Sequence, residues 1–133
     1  HGEESPEFCK EIMDKGIRVI KSFRIDDNFD FIVLNKYQEN CNLFLFDSKS
    51  DLPGGTGKSF NWSNLKKYNL KKEFFISGGI GIHSLKSLID LFKMKLPIYG
   101  IDVNSKFEDK NHLKKINELE TFIQTVKNEI YSR

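Results

Sequence analysis

The chain has 133 residues, a length that suits one domain spanning 1–133. Its 21 lysines and arginines stand against 19 aspartates and glutamates, which leaves neither the basic footprint of a nucleic-acid binder nor a polybasic membrane patch. No apolar run approaches the ~20 residues of a membrane-spanning helix, and Cys9 and Cys41 form neither a metal-ligand spacing nor a disulfide framework, so a reduced, cytoplasmic setting is expected.

The chain opens on His1 rather than Met, and its acidic first residues read as the end of a preceding element, not as a secretory signal. Ser5 followed by Pro6 is an N-cap with proline at the first helical position, and predicts a helix over 6–14 that stops at Gly16. Residues 17–23 read as a buried strand and 28–39 as a second helix. The run 42–46 is almost wholly apolar, as in a parallel strand covered on both faces, and is followed by Asp47. Pro53, Gly54, Gly55 and Gly57 make 48–59 a loop. A short helix follows over 61–68, then a strand over 74–76. Ile82, Leu85, Leu88, Ile89 and Phe92 carry helical spacing over 82–94. A last strand is predicted over 97–101. A long helix over 111–132 presents Leu113, Ile116, Leu119, Phe122, Ile123 and Val126 as one stripe. One helix followed by four strand–helix units implies a parallel α/β sheet with right-handed crossovers.

Polar and glycine-rich residues cluster after the strands, the edge that carries the active site in such folds. Alternation puts Leu43, Leu45 and Asp47 on one face of their strand and Phe44 and Phe46 on the other. A carboxyl group at a half-buried strand end suits proton transfer; equally, it is an ordinary loop-capping aspartate paired with Lys49. In Ser77-Gly78-Gly79-Ile80-Gly81, glycines between strand and helix let backbone N–H groups approach an anion. The competing reading is a tight turn that binds nothing. In Gly100-Ile101-Asp102-Val103-Asn104-Ser105, Ser105 and the nearby N–H groups are placed to hold the same phosphate from the other side, although Asn104 and Ser105 are also ordinary helix caps. Gly54-Gly55-Thr56-Gly57-Lys58-Ser59 is not a nucleotide-binding P-loop, because Leu52 stands where that pattern needs glycine; a lid that closes over substrate fits better. Lys21 is expected to face the mouth of the sheet, with solvent as the alternative, and His83 and His112 are read as surface residues.

Taken together, these segments resemble phosphoribosylanthranilate isomerase. The matching pieces are His1-Gly2-Glu3-Glu4, Leu45-Phe46-Asp47-Ser48-Lys49, the block from Gly54-Gly55-Thr56-Gly57-Lys58-Ser59 through Phe60-Asn61-Trp62-Ser63, Ser77-Gly78-Gly79-Ile80 and Gly100-Ile101-Asp102-Val103-Asn104-Ser105. The resemblance implies a (β/α)8 TIM barrel, of which this chain covers about the second half, from the end of strand 4 to helix 8. It also implies the Amadori rearrangement of N-(5-phosphoribosyl)anthranilate in tryptophan biosynthesis, with no cofactor and no metal. It puts the general acid on Asp47, phosphate contacts on Gly78, Gly79, Asn104 and Ser105, and substrate contacts on His1, Gly54, Gly55 and Asp102.

One departure matters. The family's cysteine base lies in a Lys-Ile-Cys-Gly motif that this sequence lacks, and neither Cys9 nor Cys41 corresponds to it. A whole barrel typically runs to about 250 residues and seldom below about 200, so roughly 80 residues or more and three to four strands have no counterpart here. The expected partners are the phosphosugar–anthranilate substrate and either the missing N-terminal half of the barrel or a second copy, with no nucleic acid and no membrane. The chain alone is expected to be inactive. Two alternatives remain: a non-catalytic phosphate-ligand-binding half-barrel that needs a partner chain, and a phosphosugar isomerase of histidine biosynthesis, against which the tryptophan-containing block argues.

Overall fold

The computed structural model describes residues 1–48 and 62–131. The first helix, α1 (Pro6–Asp14), starts where Ser5 accepts a hydrogen bond from the Phe8 N–H and Pro6 supplies a fixed φ. Gly16, at φ +81, ends it. The Gly16 N–H bonds the Met13 carbonyl and the Ile17 N–H bonds that of Ile12, closing a Schellman motif.

Strands β1 (Ile20–Ile25), β2 (Leu43–Ser48), β3 (Phe74–Ser77) and β4 (Ile98–Ile101) form one sheet in chain order. All three pairings are parallel. Right-handed crossovers between strands added in one direction keep returning on the same side, so the helical segments gather over one face. Register defines that face: Lys21, Phe23 and Ile25 align with Phe44, Phe46 and Ser48, and these with Phe74 and Ile76. The core lies there, with Leu34, Leu65, Tyr68, Leu88 and Leu91 packed over the phenylalanines. The other face carries Leu43, Leu45 and Asp47 beside Phe75 and Ser77, as alternation predicts. Ile20 shares it and is 48% exposed.

Several boundaries differ from the sequence reading, each for a physical reason. The helix expected over 28–39 is a 3-10 helix, Phe31–Lys36, capped by Asp30. With three residues per turn, Phe31, Leu34 and Tyr37 fall on one side, and Leu34 is fully buried. The same spacing governs Trp62–Lys67, where Trp62, Leu65 and Tyr68 are buried. Helix α2 (Leu85–Lys93) begins after a 3-10 turn at Ile82–Ser84. Helix α3 (Ile116–Tyr131) starts five residues later than expected, because the Asp109 carboxylate accepts the N–H groups of Asn111 and Leu113 and draws the backbone into a turn. Of the expected stripe, Phe122 and Val126 are buried and Leu119 packs against them, while Leu113, Ile116 and Ile123 are exposed. The first strand starts at Ile20 rather than Ile17, which is exposed.

Lys21 does not face the mouth. It is 4% exposed on the helix-covered face, where its ammonium donates to Glu4 Oε2 at 2.9 Å and to the Gly2 carbonyl at 2.6 Å. The rings of Phe23 and Tyr37 lie 5.6 and 5.8 Å from it. The ammonium beside Glu4 holds that carboxyl down at about 2. Because this folded-state value lies below the unfolded one, the pair stabilises the fold above the ordinary carboxylate range and is lost as pH falls toward 2. Glu4→Gln, which leaves a buried ammonium without its counter-charge, is therefore expected to lower the melting temperature more than Lys21→Met does. Thermal melts between neutral and acid pH should also show a shallower acid loss in Glu4→Gln than in wild type. Equal melting temperatures for the two variants would show that the pair is not holding the N-terminal segment.

Candidate active site

The C-terminal edge of the sheet gathers most of the singled-out residues. Asp47 is the fifth residue of β2, half-buried, on the face opposite the aromatic core. Its register neighbours are Arg24 on β1 and Ser77 on β3. The loop leaving β3 passes directly against it. A methyl group added at Gly78 would lie 2.6 Å from Asp47 Oδ1 and 2.3 Å from Ser48 Oγ. In return the Ser48 hydroxyl donates to the Gly78 carbonyl at 2.8 Å. Gly78 and Gly79 have φ of +96 and +62, in the left-handed region that favours glycine.

This turn forms one wall of a cavity of about 200 Å³, lined by Ser77, Gly78, Gly79, Ile80, Asp102, Asn104, Ser105 and Lys106. The opposite wall is the loop after β4. It is set one step beyond the ladder, where the Asp102 N–H bonds the Ile76 carbonyl at 2.8 Å. The Ser77 hydroxyl donates to Asp102 Oδ2 at 2.9 Å and ties the two loops together. Behind them, Lys114 donates to Asn104 Oδ1 and to Glu108, and holds the Glu108 carboxyl below the usual range. The cavity is polar and two of its lining residues are glycines, which suits a small anion such as a phosphate group.

The structure thus brings Gly78, Gly79, Asp102, Asn104 and Ser105 to one cavity, with Asp47 touching its glycine wall. Gly54 and Gly55 lie outside the described residues; Trp62, where the description resumes, is buried beside Ile25, Phe46 and Ile76. His1 is exposed beside Glu4, whose carboxylate and main chain are bonded to Lys21 and Tyr37 on the helix-covered side. Both cysteines are buried and free. Desolvation pushes the Cys9 thiol up and that of Cys41 to about 11. Cys41 precedes β2, about 20 Å from Asp47 at ~3.3 Å per strand residue. His83 and His112 are exposed, as expected. Sequence reasoning missed Lys106 and the Ser77–Asp102 tie. Each sits next to a motif residue, but which strand-end side chains meet is set by register between β3 and β4.

The profile of the N-(5'phosphoribosyl)anthranilate (PRA) isomerase family matches residues 1–125. The chain belongs to this family. It is 40% identical over 130 residues to the N-(5'-phosphoribosyl)anthranilate isomerase of Phocaeicola vulgatus, covering 98% of this chain and 62% of that protein. The Parabacteroides distasonis isomerase is 37% identical over 126 residues, or 95% of this chain and 56% of its own length. The chain therefore spans about three fifths of these family members. The solved N-(5'-phosphoribosyl)anthranilate isomerase of Pyrococcus furiosus superposes with a TM-score of 0.67 at 19% identity, over 93% of this chain and 58% of the other. That likeness supports the parallel α/β arrangement on shape alone.

Gly78→Ala meets both a left-handed backbone and two blocking side chains, whereas Gly79→Ala meets only the backbone strain, with nothing within 4 Å of the added carbon. Gly78→Ala should lose about 2–3 kcal/mol of unfolding free energy and Gly79→Ala about 1. Denaturant titration of both variants checks this, and equal losses would mean that the turn does not press on the end of β2.

Proposed function

We propose that this chain supplies the general acid and the phosphate cradle of an N-(5'-phosphoribosyl)anthranilate isomerase of tryptophan biosynthesis. Its four strands form a consecutive run of a (β/α)8 barrel, from the end of strand 4 to helix 8. The observation that carries the reading is the contact of Asp47 with the glycine wall of a polar cavity, at the C-terminal edge of a parallel sheet, in a chain of this family.

In this mechanism the substrate phosphate sits among the backbone N–H groups of Gly78, Gly79, Asn104 and Ser105. Asp102, oriented by Ser77, accepts a hydrogen bond from a ribose hydroxyl. Asp47 gives its proton to the ribose ring oxygen while the anthranilate nitrogen lone pair displaces the C1–O bond. The ring opens to an iminium ion. A base then removes the proton from C2, and the electron pair moves to the nitrogen to give an enolamine. Tautomerisation of the enolamine yields 1-(2-carboxyphenylamino)-1-deoxyribulose 5-phosphate. The sequence is a rearrangement, so atoms and electrons balance without a redox partner. A half-buried strand end is a suitable place for the acid.

The base comes from outside these 133 residues. Cys41 lies at the wrong end of β2 with its thiol raised to about 11, and Cys9 is buried in α1. The remaining strands, covalently attached or as a separate chain, would bring it and close the barrel. His1 is left without a chemical step, since its neighbours are bonded on the far face.

Asp47→Asn in the full-length protein should lower kcat by roughly 10²–10⁴-fold, the range of a general acid, and change KM much less. Steady-state kinetics with N-(5'-phosphoribosyl)anthranilate makes the test. Turnover near that of wild type would remove Asp47 from the mechanism.

A further inference from the structure

The cavity between the two loops holds a side chain that the backbone cradle does not use. Lys106 lines it together with Gly78, Gly79, Asn104 and Ser105. It is exposed, and it makes no ion pair or hydrogen bond with any described residue. The neighbouring Lys114 differs, being engaged by Asn104 and Glu108.

Two further observations place Lys106. Gly81 has an extended backbone, φ −151, so it is not glycine for conformational reasons. Instead a methyl group there would lie 3.0 Å from Lys106 Cβ and 3.0 Å from the His83 ring. The missing side chain leaves room for the first carbon of the Lys106 side chain against the β3 loop. The second observation is electrostatic. Asp102 puts a carboxylate in the same cavity, and its single described partner, the Ser77 hydroxyl, brings no charge. A phosphate dianion entering beside that carboxylate is repelled unless a cation stands nearby. Among the described residues, Lys106 is the one cationic residue that lines the cavity.

We propose that Lys106 is the counter-charge for the substrate phosphate, carried into the cavity by its packing over Gly81, so that the cradle selects its ligand by charge as well as by backbone hydrogen bonds. This rests on the phosphate reading above. Lys106 is then a binding residue that takes no part in proton transfer.

The test titrates the full-length protein with inorganic phosphate by calorimetry at low and moderate ionic strength, comparing wild type with Lys106→Met, Lys106→Arg and Gly81→Ala. Lys106→Met should weaken phosphate binding by roughly 10-fold or more, the size expected for a charge-assisted hydrogen bond. It should also flatten the salt dependence, which loss of shape alone would not do. Lys106→Arg should recover most of the affinity. Gly81→Ala should weaken binding in wild type but add little in the Lys106→Met background, because both changes remove the same contact. With substrate, Lys106→Met should raise KM more than it lowers kcat. Phosphate binding in Lys106→Met equal to wild type at both ionic strengths would overturn the role of Lys106 and leave the cradle standing. Wild-type protein that binds no phosphate would overturn the cradle, and this proposal with it.

Discussion

The loop after β3 runs so close to the end of β2 that no side chain fits between them. A carbon added at Gly78 would meet Ser48 Oγ at 2.3 Å, Asp47 Oδ1 at 2.6 Å and the Ser48 nitrogen at 2.7 Å. The backbone there also needs φ of +96, so glycine is required twice over, for space and for conformation. The rest of the candidate site follows from this contact. It presses the turn against the acid-bearing strand end and aims Ser77 across at Asp102. It also sets Gly78 and Gly79 across one cavity from the loop that carries Asn104 and Ser105.

That contact is only useful because β2 is strictly two-faced. Phe44 and Phe46 point into a ring cluster in which Phe46 lies 4.6 Å from Phe74 and 5.4 Å from Tyr68, centroid to centroid. Those rings resist any slip of the strand, since a shift by one residue would drive Asp47 into the apolar layer and bring both phenylalanines out. The aromatic side of the sheet therefore fixes where Asp47 stands on the other side. A second charged group, the Lys21–Glu4 pair, occupies the helix side at the opposite end of the neighbouring strand. The near-complete burial of Lys21 makes the pair a fastening for the N-terminal segment rather than a chemical group.

The strands, their order and the two-faced pattern of β2 were legible in the sequence, because alternation and breaker residues are local signals. The Ser5 cap and the Gly16 stop were legible for the same reason. The 3-10 helices were not. Phe31, Leu34 and Tyr37, and again Trp62, Leu65 and Tyr68, recur every third residue, a pattern compatible with one turn of α-helix until packing on the sheet chooses the tighter winding. The late start of α3 depends on one carboxylate, Asp109, competing for backbone N–H groups. In the candidate site the glycine and Asn-Ser motifs were readable as strings. The burial of Lys21, the separation of His1 from the cavity and the presence of Lys106 within it depend on register and on which face a strand presents. These are properties of paired strands that no single segment carries.

The spacing of the sheet can be set against the size of the ligand the reading requires. Neighbouring strands are about 4.8 Å apart, so a cavity between the ends of β3 and β4 lies about 7 Å across the sheet from β2. In a ribose 5-phosphate, four bonds of about 1.5 Å separate the ring oxygen from phosphorus, an extended span of about 5 Å. An acid donating to that oxygen stands about 2.7 Å farther on. Summed along one direction the two steps reach a little over 7 Å, about the spacing between β2 and the midline of β3 and β4. An acid one strand farther away would fall short of the ring oxygen. An acid on β3 itself would crowd the phosphate with a carboxylate. If the proposed phosphate lies between the ends of β3 and β4, β2 is the strand from which an acid would reach the ring oxygen without adding a second anion to the cavity lined by Asp102.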